Sequence, residues 1–146
     1  SIGQMVVQVT PIQIAKAYAA IANGGYLVTP YLTKKNEEFL SAQSKTKLDI
    51  DPQHIQLIKN GLRKVVESGT GVAINTGVTN LPPVSGKTGT AEDWKTGLDH
   101  AWFVCFTPSE QSELLVVAFA QNTPGGGSVK ALPMAKEILK VWNKNN

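Results

Sequence analysis

Three strand-like runs in the second half of the chain constrain its fold more than any other feature. They span residues 84–91, 101–107 and 114–121, and the linker Pro108–Glu113 is short enough for a hairpin between the last two. A helical segment over about Lys130–Trp142 then carries its apolar residues on one face. We therefore predict an α+β fold in which an antiparallel three-stranded sheet, ordered as in the chain, carries this helix on one face.

A nearly all-apolar helix is predicted near the start of the chain, over Pro11–Asn23. Thr10 suits the N-cap, Pro11 suits the first helical position, and Gln13 completes a T-x-x-Q capping box. Because almost every side of this helix is apolar, it belongs to the interior of something larger. In a chain of 146 residues we expect either that part of it remains uncovered as an exposed apolar patch or that the chain rearranges or forms oligomers.

A second, amphipathic helix is predicted to begin at Pro52 after the N-cap Asp51 and to end at Gly69 and Gly71. Together with the C-terminal helix, the two early helices are expected to cover the sheet. The remaining segments are predicted to be irregular: a short extended segment at residues 26–32 interrupted by Pro30, a polar stretch at 34–47, mostly loop at 72–83, and a flexible connection at Gly125–Gly127.

Composition excludes several classes of function. The 14 Lys+Arg and 11 Asp+Glu residues give a net charge of +3, and the basic residues, of which only Arg63 is an arginine, are scattered along the chain. Nucleic-acid binders concentrate positive charge and read bases with arginine, so we expect no nucleic-acid partner. One cysteine and two histidines leave few metal ligands, and neither a metal nor a cofactor is expected. The apolar stretches are shorter than the roughly 18–20 residues of a membrane span, and no signal peptide is recognisable.

The sharpest chemical signal is the sequence S-G-K-T-G-T at residues 85–90. Its Gly-Lys-Thr matches the end of a phosphate-binding loop, G-x-x-x-x-G-K-[ST]. That motif needs a glycine where this chain has Leu81, and Pro82 and Pro83 lack the amide hydrogens that would point at a phosphate. We therefore reject nucleotide binding.

On a strand, the same residues suit the binding of a peptide carboxylate. Lys87 supplies a positive charge, and the hydroxyls of Thr88 and Thr90 can donate hydrogen bonds to the carboxylate. Gly89 has no side chain, so the backbone of an extended peptide can lie against the strand. A backbone N–H after Gly89 can also stabilise an oxyanion. This pattern matches the K-T-G element of penicillin-binding proteins and serine β-lactamases.

Motifs along nearly the whole chain resemble, in order, those of the transpeptidase domain of class B penicillin-binding proteins. The likeness is greatest to the elongation-type members, penicillin-binding protein 2. The one clear departure is Met5, where the family has the second glycine of S-I-G-Q-G. The segments that carry the resemblance are Ser1–Gln4, Val9–Gln13, Ile21–Gly25, Ser85–Glu92, His100–Phe103, Phe106–Pro108, Asn122–Gly127 and Ala131–Leu139.

The resemblance implies a peptidoglycan D,D-transpeptidase. A serine of such an enzyme attacks a D-Ala-D-Ala stem peptide, expels D-Ala and passes the acyl group to an amine of a neighbouring strand, and β-lactams acylate the same serine. By that likeness Lys87, Thr88 and Thr90 bind the terminal carboxylate beside Gly89, and the Thr90 N–H contributes to the oxyanion hole. It further implies an anchor in the bacterial inner membrane, a periplasmic or extracellular location for this part, and partners in the cell-elongation machinery.

Two other elements of the family's chemistry are missing from the sequence. The family places its nucleophile in S-x-x-K and a second motif, S-x-N, between it and K-T-G. S-x-N does not occur, and we attribute the single S-x-x-K, Ser44–Lys47, to chance because it lies in a polar stretch without an apolar helical face. We therefore expect residues 1–146 to be the C-terminal portion of a transpeptidase domain that lacks the nucleophile and is inactive alone. The alternative is a non-catalytic interaction module of the same fold.

Other conspicuous residues are expected to be structural. Cys105 lies between apolar neighbours in a strand that His100 opens, and Trp102 and Phe103 should point to opposite faces of that strand. Ser85 is the serine nearest the K-T-G motif, and no lysine follows it one helical turn later. We therefore expect Ser85 not to act as a nucleophile.

Overall fold

Three helices and five strands make up the regular structure over residues 8–32, 45–78 and 80–145, which are the residues that the structure, a computed structural model, describes. The predicted α+β fold class is confirmed. In chain order the elements are α1 (Pro11–Ala22), β1 (Tyr26–Leu27), β2 (Thr46–Lys47), α2 (Pro52–Ser68), a 3-10 turn (Val72–Asn75), β3 (Ser85–Asp93), β4 (Leu98–Thr107), β5 (Leu114–Thr123), a π-helical turn (Gly127–Ala131) and α3 (Leu132–Asn145).

The predicted three-stranded antiparallel sheet is confirmed, with the strand order β3-β4-β5. Gly89 of β3 pairs with Trp102 of β4, which pairs in turn with Phe119 of β5. Among the described residues, β4 is the single strand partner of β3. The strand that carries the K-T-G motif therefore lies at an edge of the sheet.

A second sheet, which the sequence analysis does not predict, pairs β1 with β2 in antiparallel orientation. Its two pairs include Tyr26 with Lys47. The prediction of an irregular stretch over residues 34–47 is therefore wrong for its last two residues, and the extended segment at residues 26–32 forms a strand only at its start. The reason is that β2 forms by pairing with β1, a contact distant in sequence that local propensity does not encode.

Both predicted helix N-caps are confirmed. At α1 the amide of Gln13 donates to Thr10 Oγ1 over 3.3 Å and the amide of Thr10 donates to Gln13 Oε1 over 2.8 Å, which is the reciprocal pattern of a capping box. At α2 the amide of Gln53 donates to Asp51 Oδ1 over 2.8 Å. Local hydrogen bonds therefore fix where both helices begin.

The turn that joins β5 to α3 is packed against the sheet, so the prediction of a flexible connection at Gly125–Gly127 is wrong. Gly126 and Gly127 are buried, and Gly127 begins the π-helical turn that leads into α3. A Cβ atom on Gly127 would lie 2.5 Å from the carbonyl oxygen of Gly89 in β3. The run of glycines is required because the backbone of this turn touches the backbone of the sheet.

The larger hydrophobic core lies between α3 and the sheet face that it covers. Phe103 and Cys105 of β4 are fully buried there, as is Leu139 of α3. The other members of this core are Val66, Ile74, Val84, Ala101, Val116, Ala118, Ala131, Leu132 and Ala135.

The opposite sheet face is covered only in part, by α1. Ala22 of α1 packs with Phe106 of β4 and Leu62 of α2 in a smaller core. Only Ala20 and Ala22 of α1 are buried, and Ile12 at its start is 52% exposed. This apolar helix is therefore partly uncovered, as expected from the sequence.

Candidate active site

The four residues of the K-T-G-T sequence lie together on the edge strand β3, but their side chains alternate between the two sheet faces. Lys87 and Gly89 share the face that α1 partly covers, whereas Thr88 and Thr90 share the face that α3 covers. Lys87 is exposed, and its ammonium donates a hydrogen bond of 2.7 Å to the carbonyl oxygen of Thr88. The strand edge is therefore flanked by a cation on one side and two hydroxyls on the other.

The hydroxyl of Thr88 contacts a residue that the sequence analysis does not single out. Thr70, in the turn between α2 and the 3-10 turn, places its Oγ1 atom 2.6 Å from Thr88 Oγ1. Either hydroxyl can be the donor in this contact. The sequence signal that could have identified Thr70 is the pair of glycines in Gly69-Thr70-Gly71, because they mark a tight turn between a helix and the K-T-G strand.

The hydroxyl of Thr90 is held from the turn between β5 and α3. The amide of Gly127 donates to Thr90 Oγ1 over 3.3 Å, and a Cβ atom on Gly126 would lie 2.5 Å from the same oxygen. An amide N–H only donates, so Thr90 Oγ1 is the acceptor in this contact. The structure thus brings Gly126 and Gly127 into the site, where the sequence analysis assigns only a flexible connection.

Gly89 is glycine for two physical reasons. A Cβ atom there would lie 3.2 Å from the Cβ of Trp102, the residue opposite it in β4, which is tighter than ordinary van der Waals contact. On the other side of the strand, the backbone of Gly89 touches Gly127. A side chain at this position would therefore disturb both the sheet and the turn.

Three aromatic side chains pack against one another on the sheet beside Gly89. The Trp102 and Phe119 rings lie 4.2 Å apart between centroids, and His100 meets Phe119 edge-on at 5.9 Å. The Nδ1 atom of His100 accepts a hydrogen bond of 3.2 Å from the amide of Asn122. These contacts assign His100 to the packing at the outer end of the sheet. Trp102 and the buried Phe103 do point to opposite faces.

Ser85 has the surroundings of a structural residue. It is fully buried, and its hydroxyl donates to Ser109 Oγ over 3.0 Å, while Ser109 donates to the carbonyl oxygen of Pro83 over 2.9 Å. No base contacts Ser85 in these hydrogen bonds. The other serine considered from the sequence, Ser44, lies outside the described residues.

Cys105 also has the surroundings of a structural, unreactive residue. It is fully buried in the larger core, and burial raises the pKa of its thiol from 9.0 to about 12. The reactive thiolate is therefore scarce at neutral pH.

The helix before β3 is tied to the beginning of that strand. Arg63 of α2 donates from Nη1 to the carbonyl oxygen of Val84 over 2.8 Å and pairs with Glu67 one helical turn away at 2.9 Å. In the described ranges, no three His, Cys, Asp or Glu side chains are grouped as a metal site would require. Among the helices described, none is both long and apolar enough to cross a membrane.

Comparison with known proteins assigns the family. The family model described as the penicillin binding protein transpeptidase domain matches residues 1–140. The chain belongs to the penicillin-binding protein transpeptidase family.

Individual members of this transpeptidase family match nearly the whole chain. The peptidoglycan D,D-transpeptidase MrdA of Haemophilus influenzae is 32% identical over an alignment 161 residues long, gaps included, that covers 97% of this chain and 25% of that protein. The crystal structure of Pseudomonas aeruginosa PBP2 in complex with WCK 5153 superposes with a TM-score of 0.76 at 29% identity, covering 96% of this chain and 32% of that chain. The imipenem acyl-enzyme complex of penicillin-binding protein A from Mycobacterium tuberculosis superposes with a TM-score of 0.71 at 25% identity, covering 95% of this chain and 32% of that chain.

These likenesses confirm two predictions made from the sequence. The resemblance to elongation-type class B penicillin-binding proteins is confirmed by the MrdA and PBP2 matches. The transpeptidase-like fold is confirmed by the superpositions. The chain spans about a quarter of the length of the MrdA relative, so it corresponds to part of a longer family member.

Proposed function

We propose that this chain is the C-terminal portion of the transpeptidase domain of a peptidoglycan D,D-transpeptidase. In the complete enzyme, a serine outside this chain attacks the penultimate D-Ala carbonyl of a stem peptide and releases the terminal D-Ala. An amine of a neighbouring strand then takes the acyl group and frees the serine. Strand β3 binds the donor peptide, and β-lactams, as mimics of D-Ala-D-Ala, bind at the same edge.

The observation that carries this proposal is the exposed Lys87 on a strand edge that no other described strand pairs with. An extended peptide can add to such an edge through main-chain hydrogen bonds, so that its C-terminus lies along the strand. A carboxylate placed there meets the ammonium of Lys87 from one face of the sheet and the hydroxyls of Thr88 and Thr90 from the other. The three side chains thus act on one anion although they alternate along β3.

The second role of β3 is to stabilise negative charge on the reacting carbonyl. The Thr90 N–H is the donor we assign to the oxyanion hole, because it follows Gly89, where the absence of a side chain lets the substrate approach the backbone. The packing of Gly127 against Gly89 holds this backbone in place. Preorganised donors of this kind stabilise the transition state without reorganising during the reaction.

The partly covered sheet face is where we place the rest of the domain. Ile12 of α1 is 52% exposed, and the rings of Trp102 and Phe119 are also partly exposed. Apolar surface of this kind is stabilised by burial against another part of the protein. We further propose an inner-membrane anchor outside this chain, a periplasmic or extracellular site of action, and contacts with the cell-elongation machinery.

The first experiment measures acylation of the complete protein that contains this chain by a fluorescent penicillin. Lys87→Ala should leave the fold intact and lower the second-order acylation rate by the equivalent of about 2–4 kcal/mol, the range for losing one preorganised charge-stabilising contact. The matched control is Lys95→Ala, which removes an exposed lysine just beyond β3 and should change the rate little. Acylation at the wild-type rate after Lys87→Ala would show that Lys87 is only a polar strand residue.

The second experiment uses the 146-residue chain alone. Intact-mass measurement after incubation with penicillin should show no covalent adduct, because Ser85 is buried and is hydrogen-bonded to Ser109 rather than to a base. An adduct on any serine of this chain would overturn the view that the nucleophile lies outside it. A complete protein that is folded yet not acylated would instead favour the non-catalytic interaction module.

A further inference from the structure

We propose that Thr70 is a positioning residue that holds the hydroxyl of Thr88 for the substrate carboxylate. The observation is the distance of 2.6 Å between Thr70 Oγ1 and Thr88 Oγ1, across the gap between the turn after α2 and strand β3. This inference rests on the proposed function, because it assumes that Thr88 binds the carboxylate. It adds a residue from outside the K-T-G-T sequence to that binding site.

The turn that presents Thr70 is held rigidly against α2. The amides of Gly69 and Gly71, on either side of Thr70, both donate to the carbonyl oxygen of Val65, over 3.1 and 2.9 Å. Cβ atoms at these two positions would lie 3.0 and 3.2 Å from the same oxygen. Glycine at both positions therefore lets the turn close tightly on the end of α2, which leaves the Thr70 side chain little freedom of position.

The helix that carries this turn is itself fixed to β3. Arg63, two helical turns before Thr70, donates to the carbonyl oxygen of Val84 immediately before the strand. The second half of α2 and the turn after it are therefore attached at two places, through Arg63 to Val84 just before β3 and through Thr70 to Thr88 within β3. Such a double attachment fixes the separation of the two threonine hydroxyls.

The chemistry of two adjoining hydroxyls favours a positioning role. A hydroxyl has one hydrogen to donate and can accept two hydrogen bonds. When Thr70 donates to Thr88 Oγ1, the Thr88 hydrogen can be donated to a carboxylate. The charge of the carboxylate then polarises both bonds in the same direction, which strengthens each of them. Without Thr70, the Thr88 hydroxyl loses the partner that sets its rotation.

The test compares benzylpenicillin with its methyl ester, in which the carboxylate is masked, on the complete protein that contains this chain. Thr70→Val should lower the acylation rate by benzylpenicillin about tenfold, since one neutral hydrogen bond is lost, and should change the rate with the ester less than twofold. Thr70→Ser keeps the hydroxyl and should restore the wild-type preference for the acid. Thr88→Val should lower the rate with the acid at least as much, and adding Thr70→Val to it should cause no further loss.

The outcomes separate this inference from the proposed function. If Thr88→Val lowers the rate with the acid and Thr70→Val does not, the role of Thr70 is refuted and the proposed function stands. Equal losses with acid and ester after Thr70→Val, or no rescue by Thr70→Ser, would mean that Thr70 only supports the fold and would also refute its positioning role. If Thr88→Val leaves the rate with the acid unchanged, Thr88 does not bind the carboxylate and the role of Thr70 is refuted, whereas the proposed function is overturned only if Lys87→Ala also leaves acylation at the wild-type rate.

Discussion

The two faces of the sheet β3-β4-β5 come from the same strands yet are covered to different extents. On the face under α3, Phe103 and Cys105 are fully buried and Val116 is 5% exposed. On the opposite face, Trp102 and Phe119 remain partly exposed because α1 reaches only the other end of the strands, near Phe106. The face under α3, which we call the finished face, is therefore a fully buried core. The opposite face, which we call the open face, still exposes apolar surface.

This difference bears on the site that we propose at the edge of the sheet. The hydroxyls of Thr88 and Thr90 turn towards the finished face, where Thr70 and Gly127 hold them. Lys87 turns towards the open face, where further protein can approach it. The proposed site therefore has hydroxyls held by hydrogen bonds on one face and a cation on the face that remains open.

The largest expected effect comes from replacing one phenylalanine by alanine on each face and comparing the two losses of stability. Phe103→Ala should lower the free energy of unfolding by about 3–5 kcal/mol, because it opens a cavity in the finished core. Phe119→Ala removes the same atoms from a partly exposed position and should lower it by about 1 kcal/mol, since less surface was taken from water. Urea denaturation of the 146-residue chain measures both.

The same two substitutions can also be compared in the complete protein that contains this chain. If the open face is covered there, the cost of Phe119→Ala should rise towards that of Phe103→Ala. Equal costs already in the 146-residue chain would contradict the difference between the faces.

A smaller effect is expected from adding one methyl group to the turn that closes the finished face. Gly127→Ala should lower the free energy of unfolding by about 1–3 kcal/mol, because its Cβ would lie 2.5 Å from the carbonyl oxygen of Gly89 and the backbone must shift. Gly61→Ala is the control, in an exposed part of α2 where a Cβ meets nothing within 4 Å. There, alanine should stabilise the helix by about 0.5–1 kcal/mol. Thermal melts in which Gly127→Ala is as stable as the wild type or more stable would contradict the packing of this turn.

Much of the fold could be predicted because it is encoded locally. The capping box at Thr10 and Gln13 and the cap at Asp51 satisfy backbone groups within one turn of helix, so the sequence alone places both helix starts. The hairpin between β4 and β5 follows from the length of its linker in the same way. The pairing of β1 with β2 is different, because it depends on two segments that meet only in the folded chain.

The residue types of the candidate site could be predicted from the sequence, but the residues that hold them in place could not. The sequence S-G-K-T-G-T predicts a strand with a cation and two hydroxyls, and the structure has that strand at a sheet edge. Thr70 and Gly127 could not be found in this way, because they lie 18 and 37 residues from the threonines that they contact. From the sequence, the glycines at 125–127 predict a flexible backbone, whereas in the structure close packing requires two of them.

The smallest expected effect concerns the hairpin between β3 and β4, beyond the reach of the helices on either face. The carboxylate of Asp93 accepts hydrogen bonds from the Lys95 amide and the Thr96 hydroxyl, both at 3.0 Å. Chiefly the Lys95 amide, and then the Thr96 hydroxyl, lower the pKa of Asp93 below its usual 3.8. A carboxyl whose pKa is lower in the folded state stabilises that state above its unfolded pKa, and this contribution is lost as the pH falls through the folded pKa.

We therefore expect an NMR titration of Asp93 to give a pKa below 3.8. Thr96→Val should raise this pKa only in part, since the bond from the Lys95 amide remains and is the larger cause. Asp93→Asn keeps an acceptor for that amide but does not titrate, so the turn should lose its dependence on pH below about 4. A pKa that stays at its wild-type value after Thr96→Val would mean that the Thr96 hydroxyl does not stabilise the charge. The Lys95 amide would then be the main group that stabilises the carboxylate in the turn of the hairpin.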